Sequence, residues 1–359
     1  MHAQVLDPKK FEGEVHGKPV ALYTLRNANG MVCCVTNYGA KIMQLLVPDR
    51  NGQLGDVVLG YDSLAGALKG SPSMGAFIGR YAGRIGNATF TLDGVPHALT
   101  VNNGPHCLHG GIQGSRFKVF DAVQHNPSSV EMRYVFADGE ESFPGTLALS
   151  LMVSLTDDNE LVLDYEAVPL DKPTVASFTT HAFFNLNGHA SGSVLGHEVT
   201  VFADKHFGMT DDLVATGELL TVAGTRFDFM QQRAIKALGS EEEGAGDGGF
   251  DCCYAVNQPA PNQLSLAAQV SAQASGRVMQ VWSTEPALQF YTGLLPGEPL
   301  PGGPGKEGAH YVQQQSLCLE PQGYPNAPNL MHRYPSHVST VYQPGVSRSG
   351  RTVYRFSTY

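Results

Sequence analysis

Charge is scarce in this chain. Asp, Glu, Lys and Arg make up 16% of its 359 residues, and a single Trp is present. Hydrophobic residues still account for 42%, which excludes a disordered chain and describes a globular protein with a weakly charged surface. Runs of Lys or Arg are missing. With 23 Lys+Arg against 33 Asp+Glu the net charge is −10, which disfavours nucleic acid and anionic membranes as partners. No stretch approaches the apolar length of a membrane span. The first ten residues lack the apolar segment of a signal peptide, and none is expected. The six cysteines (Cys33, Cys34, Cys107, Cys252, Cys253 and Cys318) form two adjacent pairs and two singletons with no CxxC spacing. That pattern suits neither a disulfide framework nor a zinc site. Reduced thiols in a cytoplasmic protein are the expectation.

Turn residues are plentiful, with 41 Gly and 22 Pro, while helix-period segments are rare. Strand-like runs recur at 31–36, 41–47, 56–59, 88–92, 130–136, 146–155, 160–168, 197–202, 264–270, 277–282, 288–291, 316–319 and 337–342. Asp93-Gly94 reads as a hairpin turn and Asp157-Asp158-Asn159 as a second connection. Many strands with short turns point to an all-β protein, a large antiparallel β-sandwich. Loops are expected at 241–249 and 296–308. Strand patterns continue on both sides of each, so residues 1–359 read as one domain.

Five segments carry candidate chemistry. His181 sits in Thr179-Thr180-His181-Ala182-Phe183-Phe184-Asn185-Leu186, where aromatic neighbours exclude water and tune an imidazole; alone, such a residue is more readily a core histidine. Arg80 and Arg84 lie among glycines in Gly79–Asn87, which also reads as a solvated surface turn. His109 precedes a glycine pair in Leu108-His109-Gly110-Gly111; a metal pair with His106 is weak. Asp251 follows Phe250 and precedes two cysteines, where a turn-forming Asp is the plain alternative. Glu320 ends an apolar run before Pro321, which is expected to stop the strand. A carboxylate beside Leu319 there is a candidate base with a raised pKa.

Taken together, and with Asn37-Tyr38-Gly39-Ala40 and the acidic loop 138–145 ending in Pro144-Gly145, these segments resemble the aldose 1-epimerase (galactose mutarotase) family over nearly the whole chain. The resemblance implies a galactose mutarotase-like supersandwich and interconversion of the α and β anomers of aldohexoses such as glucose and galactose. It implies Glu320 as general base and His181 as general acid. It further implies Arg84, His109, Asp251 and Gln289 as sugar-binding residues, the last from Leu288-Gln289-Phe290-Tyr291. No metal and no cofactor are implied; the partner is a small aldose, with the chain a monomer or homodimer. Three positions depart from the family pattern: Thr180 stands for its Asn, Phe183 for its Tyr and Gly83 for its Asn. Two other readings remain open, a hexose-6-phosphate 1-epimerase, with Arg80 and Arg84 as phosphate contacts, and a non-catalytic sugar-binding module.

Overall fold

In the computed structural model, residues 4–71, 73–235, 249–293 and 303–359 are described. Nearly all of the expected strands form, and every strand pair among these residues is antiparallel. The chain is all-β, as its punctuation implied.

A nine-stranded sheet is the largest element. Its spatial order is Asp121–Asn126, Ser129–Phe136, Leu147–Leu155, Glu160–Pro169, Arg348–Thr358, Arg277–Ser283, Ser265–Ala272, Glu198–Val201 and Arg233–Ala234. Leu147–Leu155 shows why one face packs inward: Leu147, Leu149, Leu151, Val153 and Leu155 are buried, alternating with half-buried Ala148, Ser150, Met152 and Ser154. That period of two is the signature of a strand with one face on the core.

Two smaller sheets share this core. One has four strands, Leu22–Arg26, Val32–Thr36, Lys41–Pro48 and Leu54–Asp56. The other has five, in the order Ala215–Thr221, Lys205–Met209, Asp251–Ala255, Ala287–Tyr291 and Cys318–Gln322. Cys252, Tyr254, Leu288, Phe290 and Leu319 of the five-stranded sheet belong to the same apolar cluster as Val153, Leu163, Met279, Val281 and Tyr354 of the large sheet. This is sheet-on-sheet packing. Its consequence for the site follows from alternation: Asp251, Gln289, Tyr291, Glu320 and Gln322 must face the other way.

Some details differ from the sequence reading. The strand expected at 56–59 ends at Asp56, after which Val57 and Leu59 donate to the carbonyls of Leu45 and Phe183. Within 337–342 only Val341 and Tyr342 are extended, and Ser336–Val338 is a 3-10 turn. The strand expected to stop at Pro321 runs through it to Gln322, with Pro321 opposite Leu288. It is the edge strand of its sheet, so a residue without an N–H is tolerated there. Asp93 and Gly94 turn as expected, both with positive φ, 51° and 79°, joining Thr89–Leu92 to Val95–Ala98. Of the two expected loops, 241–248 and 296–302 lie outside the described residues; Lys306–Gly308 forms a 3-10 turn. All six cysteines are free and buried. Among the described residues no helix is long and apolar enough to cross a membrane.

Candidate active site

Strand register assembles one wall of the site. Glu320 lies directly opposite Gln289, and Gln289 lies opposite Cys253, two residues from Asp251 on the same face. Such diagonal neighbours are within reach of a long side chain. Gln289 Nε2 accordingly donates to Asp251 Oδ1 at 2.5 Å. These residues converge on the outer face of the five-stranded sheet, Glu320 and Gln289 from mid-strand and Asp251 from the start of its strand.

The facing wall comes from shorter pieces. Thr179–Thr180 pairs with Phe77–Ile78, and the chain then leaves extended pairing, with His181 N donating to the Ala76 carbonyl and Gly75 N to the His181 carbonyl. These bonds fix the backbone, so the His181 ring is aimed across the gap. Its Nε2 stands 3.7 Å from Glu320 Oε1. The ring stacks on Phe183 with centroids 4.9 Å apart and meets His109 edge-on at 5.4 Å.

His109 is positioned by a tight loop. Its own φ is 53°, and Gly110 follows with φ 77°. A Cβ at Gly110 would come within 2.2 Å of the Gly79 carbonyl oxygen, so glycine is required for the loop to lie against the 79–83 segment. Gly83 N donates to His109 Nδ1 at 3.2 Å, which leaves Nε2 to carry the ring proton. Arg84, paired opposite Leu108, donates from Nε to Asn103 Oδ1 at 2.9 Å. A cleft of about 290 Å³ is lined by Arg84, His109, His181, Asp251, Gln289 and Glu320 together, near the lower end of small-ligand pockets. A separate cavity of about 280 Å³, between Tyr165, Glu285, Tyr342 and Arg348, is lined by none of these six.

Burial dominates the electrostatics. It pushes the Glu320 carboxyl well above the usual range, with the Asp251 charge adding to the rise. It lowers His181 to about 4, with Arg116 contributing, and holds His109 well below its ordinary value. Asp251 is raised by burial and drawn back by Arg84 and the Gln289 bond. Desolvation therefore favours an uncharged His181 and an uncharged Glu320.

The family model described as Aldose 1-epimerase matches residues 21–355. The chain belongs to the aldose 1-epimerase family. It is 38% identical to galactose mutarotase of Bos taurus over 327 residues, 90% of each chain. It is 33% identical to aldose 1-epimerase of Escherichia coli K12 over 344 residues, covering 95% of this chain and 96% of that one. Among solved structures, a GalM/aldose epimerase homologue from C. elegans superposes with a TM-score of 0.86 at 29% identity, covering 94% of this chain and 99% of that one. Galactose 1-epimerase of Lactobacillus acidophilus has the same fold, with a TM-score of 0.80 at 24% identity and coverage of 96% and 97%.

All six site residues expected for an aldose 1-epimerase meet in the one cleft. Three readings are corrected. Arg80 is neither solvated nor in the cleft: it is 2% exposed and donates to the carbonyls of Pro144, Gly145 and Ala137 and to Thr174 Oγ1. Asp251 is no turn residue but opens the strand Asp251–Ala255. His106 does not join His109; its Nδ1 accepts from Asn87 N, and its Nε2 lies 3.6 Å from Asp212.

This epimerase also lines the cleft with residues the sequence reading did not assign, notably Tyr291, Gln322, Phe183 and Met209. Strand alternation carried the signal for two of them, since Tyr291 is two residues from Gln289 and Gln322 two from Glu320. At the departing positions, Phe183 holds the imidazole by stacking. Thr180 Oγ1 and His181 Nδ1 are both buried without a hydrogen-bond partner among the described residues.

Proposed function

We propose that this chain interconverts the α and β anomers of free aldohexoses such as glucose and galactose by acid/base opening and closing of the pyranose ring. The observation that carries this reading is the His181–Glu320 pair, 3.7 Å apart in a buried cleft, flanked by Arg84, His109, Asp251 and Gln289. A sugar seated between them gives its C1 hydroxyl proton to Glu320 while its ring oxygen takes a proton from His181. The C1–ring oxygen bond breaks, the C1 carbonyl forms, rotation about C1–C2 turns the other face, and closure runs the same transfers in reverse.

The proton count supports this assignment. A neutral imidazole with a protonated carboxyl holds as many protons as an imidazolium with a carboxylate. Burial favours the uncharged form of the empty pair; sugar hydroxyls between the two groups solvate the charged form. Each positioned proton transfer contributes on the order of 10² to 10⁴ in rate. His109 Nε2–H and the Arg84 guanidinium suit sugar oxygens as donors, and the Asp251–Gln289 pair suits hydroxyls. The buried position of Arg80 removes one of the two cations on which a hexose-6-phosphate reading rested. The match over 21–355 supports one domain, and free, buried cysteines support a reducing, cytoplasmic setting.

Polarimetry of freshly dissolved α-galactose and α-glucose, beside glucose 6-phosphate, tests the proposal. Accelerated anomer exchange with the two free sugars, and much less with the phosphate, is the expected result. Sugar binding without acceleration would instead assign the chain as a binding module.

A further inference from the structure

Behind Glu320, in the same strand and on the same face, stands Cys318. It is fully buried, opposite Tyr291, and packed with Phe183 in one apolar cluster. It does not line the sugar cleft and has no part in the proposed proton transfers. Yet the donor atoms of His181, Cys318 and Glu320 all lie within 4.8 Å of one another.

We propose that His181, Cys318 and Glu320 form an inhibitory site for a thiophilic divalent cation, Zn²⁺ or one like it, which excludes sugar from the cleft. Imidazole nitrogen, thiolate sulfur and carboxylate oxygen are each zinc ligands, with metal–ligand lengths of about 2.0 to 2.3 Å. Tetrahedral coordination at such lengths spaces donors roughly 3.4 to 3.7 Å apart. The His181–Glu320 separation of 3.7 Å already meets this, and small side-chain rotations bring in the sulfur. Among the described residues no hydrogen bond at Nδ1 opposes such a rotation of the His181 ring, which then slides along the Phe183 ring it stacks on.

Burial keeps the Cys318 thiol and the Glu320 carboxyl protonated in the empty site, and charge balances once the metal replaces both protons. A thiolate and a carboxylate neutralise the dication, so the buried assembly carries no unpaired charge. The imidazole is held neutral, leaving a lone pair for the metal. Binding displaces the Cys318 thiol proton and the Glu320 carboxyl proton to solvent, with no change of oxidation state. Metal and sugar would then compete for His181 and Glu320, and Cys318 distinguishes the two.

Two readouts on the full-length chain, kept reduced with a non-chelating phosphine, test this. Titration with Co²⁺ reports sulfur ligation as a near-ultraviolet thiolate-to-metal band and does not depend on the proposed activity. Inhibition of galactose mutarotation by Zn²⁺ does rest on that reading. The wild type should show the band, lose activity at micromolar Zn²⁺, recover with EDTA and be protected by galactose. Cys318→Ser and Cys318→Ala, each checked for folding by a thermal melt, should keep the metal-free rate, lose the band and need at least about tenfold more Zn²⁺ for inhibition. No band in the wild type, or a band and sensitivity unchanged in both variants, overturns the site. A band without mutarotation in metal-free buffer would sink the functional reading and leave the metal site standing.

Discussion

Gln289 Nε2 donates to Asp251 Oδ1 at 2.5 Å, while the Gln289 backbone pairs directly opposite Glu320. One residue thus holds one carboxylate by its side chain and the strand of another by its register. Gln289→Ala removes a hydrogen bond to a charged group, worth about 1.5 to 3 kcal/mol. The expected outcome is a rise in KM for galactose of roughly tenfold to a hundredfold, with a smaller effect on kcat. An unchanged KM would show that Asp251 needs no such support.

Glu320→Gln keeps the shape of the side chain and removes its capacity to take a proton. Mutarotation should fall by on the order of 10² to 10⁴, while isothermal calorimetry still detects galactose. Full activity by polarimetry would exclude Glu320 as the base.

Arg80→Met separates structure from binding. The guanidinium satisfies carbonyls of Ala137, Pro144 and Gly145 and lies over the rings of Phe136 and Phe143. Removing it leaves buried acceptors unpaired, at about 3 to 5 kcal/mol. Denaturant titration should register that loss, and the affinity of the folded fraction for glucose 6-phosphate should not change. A selective loss of phosphate affinity would restore Arg80 as an anion ligand.

His197 gives a pH dependence with a definite sign. Burial lowers it to about 4, and its Nε2 accepts from Leu186 N at 3.0 Å. A folded-state value depressed below 6.5 means that the unfolded chain binds more protons between pH 6.5 and 4. The stabilising contribution is therefore complete above pH 6.5 and lost as pH falls toward 4. His197→Gln removes the titration and keeps an acceptor. The stability difference between wild type and variant should shift against the wild type by on the order of 3 kcal/mol from pH 7 to pH 4, read by urea unfolding. Parallel pH curves for the two proteins would refute this cause.

Legibility followed burial of the two strand faces. Leu147–Leu155 alternates in sequence because one face meets the core and the other does not. Arg348–Thr358 went unread although it is a central strand, because Arg351 and Arg355 interrupt its apolar pattern. They lie on the face away from the core, opposite Asp164 and Glu160, and bond to those carboxylates. Lys205–Met209 and Ala215–Thr221 were likewise missed, being short, mixed in polarity and bulged at Gly208.

From sequence alone came the all-β class, the turn at Asp93-Gly94, the family resemblance and, through it, six of the residues that line the cleft. Motif order carries that much, because each segment keeps its residue types wherever the chain runs. Only the tertiary structure decided that Glu320, Gln289 and Asp251 share one sheet face, that Arg80 is structural while Arg84 faces the cleft, and that Cys318 stands beside the acid/base pair. Register, burial and cross-chain distance are relations between segments far apart in sequence. They exist only once the sheets have packed.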